Sequence, residues 1–197
     1  RRGRRAADRA RVSAAVDILG PGSHLGSGSL QGRDPSLLAR LEAGGPIMLL
    51  DGGQLLIQPV HKDDVGRACA AVLAHPETTR GEVYNCAGPD RATTRAYYDL
   101  IASAIGAEGV EYLSLPSEGC VRALPEKAPF AQHRIYSVEK LVRDTGYRPS
   151  TTLAHSLFET IDWLQSSGAA QPYVPTEREE NLAMLDRASR EQLGLLL

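Results

Sequence analysis

A tyrosine and a lysine four positions apart form the pair with the clearest chemical potential in this chain. Tyr136 and Lys140 enclose the tripeptide Ser-Val-Glu. A lysine ammonium close to a phenol favours the phenolate, which lowers the pKa of the tyrosine and suits it to move protons to and from a substrate. No Ser or Thr lies between Glu118 and Tyr136 to act as a hydroxyl partner. We therefore expect a structural pair, with proton transfer as the alternative.

Glycines near the start of the chain have the spacing of a phosphate-binding turn. Gly22, Gly26 and Gly28 lie in a polar stretch, and Asn85-Cys-Ala-Gly88 supplies another turn later in the chain. A pyrophosphate site needs such a turn to lead directly into a helix whose amides face the phosphates. The stretch Gln31-Gly-Arg-Asp-Pro35 keeps the chain in a loop instead. We therefore do not expect a complete phosphate site here.

His61, Asp63 and Asp64 suggest either a metal site or the start of a helix. Imidazole and carboxylate groups are ordinary metal ligands. An aspartate in the first turn of a helix also accepts hydrogen bonds from free backbone amides, which stabilises the helix by ~1 kcal/mol. Apolar residues follow at helical spacing: Val65, Cys69, Val72 and Leu73. We expect Asp63 or Asp64 to cap a helix that runs to Ala74, and no metal site.

Composition and charge describe an ordinary water-soluble domain. The 197 residues have a net charge of -2 and are 42% hydrophobic, and no apolar run approaches the roughly 18 residues of a membrane span. Cys69, Cys86 and Cys120 are odd in number and widely spaced, which is typical of buried thiols in a reducing compartment. We therefore expect a cytoplasmic protein without a membrane partner.

Six arginines crowd the first eleven residues. They suggest a basic arm for nucleic acid or lipid, an organellar presequence, or the solvated end of a helix. We expect the last of these, and we expect no nucleic acid partner.

Hydrophobic periodicity and turn residues predict alternating strands and helices. The sequence Asp51-Gly-Gly-Gln54 between two apolar runs predicts a hairpin. The segment 116–133, with Pro116, Pro125 and Pro129, is expected to be irregular or a broken helix. The predicted strands are 12–19, 47–50, 55–57, 82–86 and 110–115, and the predicted helices are 37–41, 64–74, 94–105, 138–145, 153–165 and 176–197.

Four motifs in order resemble the C-terminal half of the extended short-chain dehydrogenase/reductases, the NAD-dependent epimerase/dehydratase family. They are Pro59 to Val65, Gly81 to Gly88 with its following Thr-capped helix, Lys140 to Pro149, and Thr160 to Leu164. The resemblance implies an α/β fold, with the distal part of a Rossmann-like doubly wound sheet and the small C-terminal substrate-binding α/β subdomain. It assigns residues 1–167 to this domain, 168–175 to a linker and 176–197 to a helical extension.

The resemblance also implies chemistry and a site. Such enzymes use NAD or NADP, and their catalytic tyrosine, lysine and glycine turn are expected upstream of Arg1, so no catalytic residue is assigned and this chain alone is expected to be inactive. Gly20, Pro21 and Gly22 are similar to a cofactor-binding loop. Gln54, Arg122 and Arg134 are the substrate-binding candidates. The expected partners are a small-molecule substrate, such as a sugar derivative, and a second copy in a homodimer.

The chain departs from the family pattern at one informative place. Family members that act on nucleotide sugars carry an arginine just before the Val-His motif, where it binds the diphosphate in a bidentate manner. The corresponding stretch here, Gln54-Leu-Leu-Ile-Gln58, contains no cation. The resemblance therefore implies a substrate without a diphosphate.

Two alternatives remain open at this point. The glycines after Gly20, the Asn85 turn and the pair Tyr136 and Lys140 occur in the order of a complete classical short-chain dehydrogenase. The pattern of Gly52-Gly-Gln54, His61, Asp64 and Tyr84-Asn-Cys86 also resembles the chloroplast stem-loop-binding proteins, which implies an RNA-binding or regulatory module. Few aromatic residues are present to stack on bases, with one Trp and two Phe.

Overall fold

Helices surround short strands in the structure, which is a computed structural model. It describes residues 24–25, 33–123, 125–168 and 172–194. The strands are β1 (His24–Leu25), β2 (Ile47–Leu50), β3 (Leu56–Ile57), β4 (Val60–His61), β5 (Ala92–Thr93) and β6 (Tyr112–Leu115). The helices are α1 (Arg33–Glu42), α2 (Lys62–Ala74), α3 (Pro76–Thr79), α4 (Thr94–Ala104), α5 (Ser117–Ala123), α6 (Glu139–Thr145), α7 (Leu153–Ser167) and α8 (Glu177–Gly194).

The described strands pair as three two-stranded sheets. Strand β1 lies parallel to β4, and β2 lies parallel to β6 with Ile47 opposite Tyr112. Strand β3 is antiparallel to β5, with Leu56 opposite Thr93. Parallel strands connected through helices confirm the expected α/β class.

The predicted hairpin around Asp51 is wrong. A short 3-10 turn, Asp51–Gly53, follows β2, and all three of its residues have positive φ, between 48° and 77°. A hairpin turn of the favoured type needs positive φ at only two central residues. Here three successive residues have positive φ, and the chain does not fold back on β2. Strands β2 and β3 instead each pair with a strand far along the sequence.

Helices α2, α4, α6 and α7 agree with the predicted bounds to within two residues. Helix α1 begins at Arg33, four positions before the predicted start, so the expectation that Gln31 to Pro35 stay in a loop is wrong. Helix α4 begins after Thr93 and α7 begins after Thr152, and in each the threonine side chain accepts a hydrogen bond from a free backbone amide. Helix α6 ends at Gly146, whose φ of 71° is the left-handed conformation that glycine adopts readily. The predicted cap of α2 is wrong, because the His61 side chain, and neither aspartate, accepts from the Asp63 amide.

Two apolar clusters form the core. The larger one joins α1, β2, α4 and α7 and includes Leu38, Ile47, Leu49, Tyr97, Ile101, Leu157 and Leu164. The smaller one joins β4, α2, the segment 84–86 and α6, and includes Val60, Val72, Tyr84, Cys86 and Leu141.

The predicted strand 82–86 was expected to pair with the predicted strand 12–19, which lies outside the described residues. Residues 82–86 belong to no strand within the described part of the chain, although Tyr84 and Cys86 are buried while Val83 and Asn85 are exposed. A strand needs a neighbour for its backbone bonds, and the expected neighbour, Val12–Leu19, lies outside the described residues. Their pairing stays a prediction.

The last helix, α8, packs against β6. Arg187 donates two hydrogen bonds to Glu111, at 2.9 and 2.6 Å, and Arg40 forms an ion pair with Glu179. The division at residues 167 and 175 stays a prediction. Among the described helices, none is both long enough and apolar enough to cross a membrane.

Candidate functional site

The carboxyl ends of β2 and β6 meet at the Asp51 turn. Asp51 accepts a hydrogen bond from the Ser117 amide at 2.9 Å, and the Gly52 amide donates to Ser114 Oγ at 2.9 Å. Hydrogen bonds from Ser117 hold the pKa of Asp51 below its ordinary value. Ligands of open α/β folds bind at the carboxyl ends of the parallel strands, so this edge is the first candidate site.

Asp51 is held in an unusual backbone conformation. Its φ of 48° makes it the one non-glycine residue with positive φ in the described ranges. Gly53, two positions later, leaves no room for a side chain, because a Cβ there would lie 2.9 Å from Arg95 Cβ. Uncommon conformations of this kind concentrate at functional sites.

A second segment, residues 133–137, lies beside β3. The Leu56 amide donates to His133 Nδ1 at 3.0 Å, and the Arg134 amide donates back to the Leu56 carbonyl at 2.8 Å. Ile57 forms a parallel bridge with Arg134. The segment therefore lies beside β3, the strand that follows the Asp51 turn, and extends the β3–β5 sheet.

The structure brings two of the three predicted substrate residues to this region. Gln54 is exposed at the end of the turn, two positions before Leu56, and half-buried Arg134 pairs with β3. The Arg134 guanidinium lies 5.2 Å from the centre of the Phe130 ring. Arg122 lies on α5, is exposed, and forms an ion pair with Glu118 on its own helix. The predicted cofactor residues Gly20, Pro21 and Gly22 lie outside the described residues.

Tyr136 and Lys140 each form hydrogen bonds with distant parts of the chain. Tyr136 lies before α6, and its amide donates to Gln58 Oε1 at 2.9 Å. Lys140 donates to Glu82 at 2.6 Å and to the Val83 carbonyl at 3.0 Å. The lysine thus fastens α6 to the segment that begins at Glu82.

Two tyrosines near α6, Tyr84 and Tyr147, have pKa values that do not suit proton transfer. Burial and the Asp144 carboxylate raise the pKa of Tyr84 to about 12, although Lys140 Nζ lies 5.0 Å from its ring centre. Burial and Asp64 raise the pKa of Tyr147 to about 12. An acid/base tyrosine needs a lowered pKa at neutral pH, so neither residue suits that role.

A fully buried carboxylate, Asp64, fastens the loop after α6. It accepts from Tyr147 Oη at 2.6 Å, Arg67 Nη2 at 2.9 Å, the Thr151 amide at 2.8 Å and the Ser150 amide at 3.2 Å. Burial alone would raise the pKa of Asp64, but these hydrogen bonds outweigh it and hold the pKa well below its usual range. Sequence reasoning assigned Asp64 to capping and missed this role, because Tyr147, Ser150 and Thr151 lie 83 to 87 positions away.

His61 is the other buried polar residue at the start of α2. Its Nδ1 accepts from the Asp63 amide at 3.3 Å, and its Nε2 lies 3.1 Å from Glu159 Oε2. Lys62 contacts the other oxygen of Glu159 at 3.3 Å. These contacts connect α2 to α7, and the described residues contain no group of three His, Cys, Asp or Glu that could hold a metal ion.

Comparison with known proteins gives a match only among solved structures. No protein-family profile and no curated protein sequence matches the chain. It is similar to UDP-glucuronic acid 4-epimerase from Bacillus cereus in complex with NAD, at 17% identity and a TM-score of 0.57, over 74% of this chain and 43% of that one.

Two further structures are similar to a comparable degree. One is DesIV, a dTDP-glucose 4,6-dehydratase from Streptomyces venezuelae with NAD and TYD bound, at 25% identity and a TM-score of 0.55, over 69% of this chain and 39% of that one. The other is RMD from Pseudomonas aeruginosa complexed with NADPH, at 22% identity and a TM-score of 0.54, over 74% of this chain and 46% of that one. This chain therefore has the fold of the NAD-dependent epimerases and dehydratases of the extended short-chain dehydrogenase/reductase type, and it spans less than half the length of these three proteins.

Proposed function

We propose that this chain supplies the substrate-binding part of an NAD(P)-dependent epimerase, dehydratase or reductase. One observation carries the proposal: within this fold, the Asp51 turn and the segment bearing Arg134 converge on β3, next to the carboxyl ends of β2 and β6. Side chains placed there come from elements far apart in sequence, as a substrate site requires. No catalytic residue is assigned to this chain.

The proposed substrate is a small sugar derivative with limited negative charge. The strand region from Gln54 to Gln58 contains no cation. Arg134, whose amide donates to Leu56, and Arg95, which follows β5, both lie beside that strand. Arg95 forms an ion pair with Asp99, and we assign Arg134 to the substrate. One arginine suits a single carboxylate or phosphate better than a diphosphate.

The proposed cofactor is NAD or NADP, with Gly20, Pro21 and Gly22 as its contacts from this chain. The described helices α2, α4 and α7 begin at the side-chain caps His61, Thr93 and Thr152 and not at a glycine turn. Helix α1 begins at Arg33, after glycines that lie outside the described residues. We propose that pyrophosphate binding and proton transfer belong to a nucleotide-binding half other than these 197 residues. A cytoplasmic location and a homodimer are further proposals.

Two measurements test the proposed function. Titration calorimetry of this 197-residue chain with NAD and with NADP should show no micromolar binding, because the pyrophosphate site is incomplete. A polypeptide that joins this chain to a nucleotide-binding half should convert a nucleotide sugar or sugar acid with NAD or NADP, followed by NMR. Micromolar NAD binding by the chain alone that is lost in Gly22→Ala or Gly26→Ala variants would instead support a complete classical dehydrogenase.

A further inference from the structure

Gln58 is a buried side chain with a hydrogen bond at each end of its amide. It is 3% exposed. Its Nε2 donates to the Gly88 carbonyl at 2.7 Å, and its Oε1 accepts from the Tyr136 amide at 2.9 Å. The two partners fix which end of the amide carries the oxygen, since one accepts and the other donates.

The amide joins three parts of the chain that are distant in sequence. Gln58 follows β3, Gly88 ends the segment that begins at Glu82, and Tyr136 belongs to the segment 133–137 that carries Arg134. We call the contact of Gln58 with Gly88 and Tyr136 the junction. Gly88 is closely packed there, because a Cβ at that position would lie 2.2 Å from the Pro59 carbonyl oxygen. The junction therefore has little freedom to shift.

The Gln58 bonds fix the Arg134 segment more firmly than the side-chain bonds of His133 and Asn85 do. The Asn85 amide donates to the Ser137 carbonyl at 3.4 Å, in an exposed position. The His133 imidazole, which accepts from Leu56, is exposed to solvent and competes with water. Hydrogen bonds in a dry interior are stronger, and a buried group that loses its partner is costly. Removing the Gln58 amide would leave the Tyr136 amide without its acceptor, two positions from Arg134.

We propose that Gln58 is a positioning residue, which orients Arg134 toward an anionic group of the substrate. This inference rests on the proposed function, in which Arg134 contacts the substrate. An arginine recognises a carboxylate or phosphate through parallel N–H bonds that tolerate little displacement. Gln58 does not touch the substrate in this arrangement, and it acts through the backbone of residues 134–136.

The test is a double-mutant cycle between Gln58 and Arg134. Binding of glucose 1-phosphate, glucuronic acid, UDP-glucose and dTDP-glucose to the full protein is measured by calorimetry, together with thermal unfolding. Gln58→Met preserves the side-chain volume, and Arg134→Gln removes the cation. Each change should weaken the ligand that binds best by about tenfold. The double variant should bind no more weakly than Arg134→Gln alone. Gln165→Met, at an exposed glutamine on α7, is the matched control and should bind normally.

The outcomes separate this inference from the proposed function. If Arg134→Gln weakens binding while Gln58→Met does not, or if the two losses add, the inference is wrong and the proposed function stands. If the wild-type protein binds none of the four ligands, or if Arg134→Gln binds normally, the proposed site is wrong and the inference fails with it. Gln58→Glu retains the acceptor for Tyr136 and loses the donor to Gly88, so it should bind with intermediate affinity. Gln58→Glu also replaces Gln58→Met in the double-mutant cycle if the methionine variant does not fold.

Discussion

At the scale of single residues, Asp64 is the side chain whose loss should cost most. It is fully buried and accepts four hydrogen bonds, two of them from the loop at Ser150 and Thr151. Asp64→Asn removes the negative charge to which Arg67 and Tyr147 donate hydrogen bonds, so the free energy of unfolding should fall by roughly 2–4 kcal/mol. Urea denaturation of the wild type and the variant measures this difference in free energy. Asp63→Asn, at the exposed neighbour, should change stability by less than about 0.5 kcal/mol, and equal losses in both variants would contradict the assignment.

The same residue gives a pH dependence with a definite sign. The folded-state pKa of Asp64 is lowered, because hydrogen bonds outweigh its burial. Its contribution to stability is therefore complete well above the unfolded pKa of about 3.9 and is lost as the pH falls from there toward the folded value. Denaturation curves between neutral pH and about pH 3 should show a smaller decline in Asp64→Asn than in the wild type. Parallel declines would show that other carboxylates dominate.

Replacing Tyr136 by phenylalanine distinguishes a structural role of this residue from an acid/base role in catalysis. The bond that joins its segment to Gln58 comes from the Tyr136 amide and not from the phenol. Tyr136→Phe should therefore leave the turnover of the full enzyme nearly unchanged, whereas a true acid/base tyrosine would lose roughly 10²–10⁴ in rate. The measurement compares the turnover of the wild-type and Tyr136→Phe enzymes, with thermal unfolding to confirm that their stability is equal. A thousandfold loss would move the active site into this chain.

At the scale of elements, two glycines should respond in opposite directions to alanine. Gly66 lies in the exposed middle of α2 with open space around it, so Gly66→Ala should stabilise the protein by about 0.5–1 kcal/mol. Gly88→Ala would place a methyl group against the Pro59 carbonyl and should destabilise it by more than about 2 kcal/mol. Thermal unfolding of both variants measures this. A tolerated Gly88→Ala would show that the junction at Gln58 is loose.

Helices were predictable where the signal is local, and strand partners were not. Thr93 and Thr152 precede amphipathic runs and cap α4 and α7 as expected. The hairpin at Asp51 failed because β2 finds its partner in β6, and no pattern near Asp51 contains that information. His61 was missed as a cap since histidine is uncommon there.

The substrate role of the candidate residues stays a prediction. Gln54 ends the Asp51 turn two positions before β3, and the Arg134 amide donates to the Leu56 carbonyl of β3. Gln58 escaped notice because nothing in its neighbours indicates a buried amide. Its partners Gly88 and Tyr136 lie 30 and 78 positions away in the chain.

At the scale of the whole molecule, the docking of α8 depends on a small residue at a junction. Tyr173 packs against Gly45, where a Cβ would lie 2.6 Å from its ring, and the Arg40 guanidinium lies 4.7 Å from the ring centre. Gly45→Ala should displace the tyrosine and raise hydrogen exchange across α8, with a stability loss of about 1 kcal/mol. Gly119→Ala in α5 meets no neighbouring atom and is the control. Unchanged exchange in α8 would show that its ion pairs suffice.

The pairing of β2 with β6 also constrains how quickly this molecule can assemble. Ile47 and Tyr112 lie about 65 positions apart in the chain, and the other two described sheets also join residues more than thirty positions apart. Closing such loops loses chain entropy before any contact compensates for it, so sheets of this kind form slowly. Helices α2 and α4, which lie inside the largest loop, can form locally first. Refolding should therefore show early helical signal, with the rate set by the later meeting of β2 and β6.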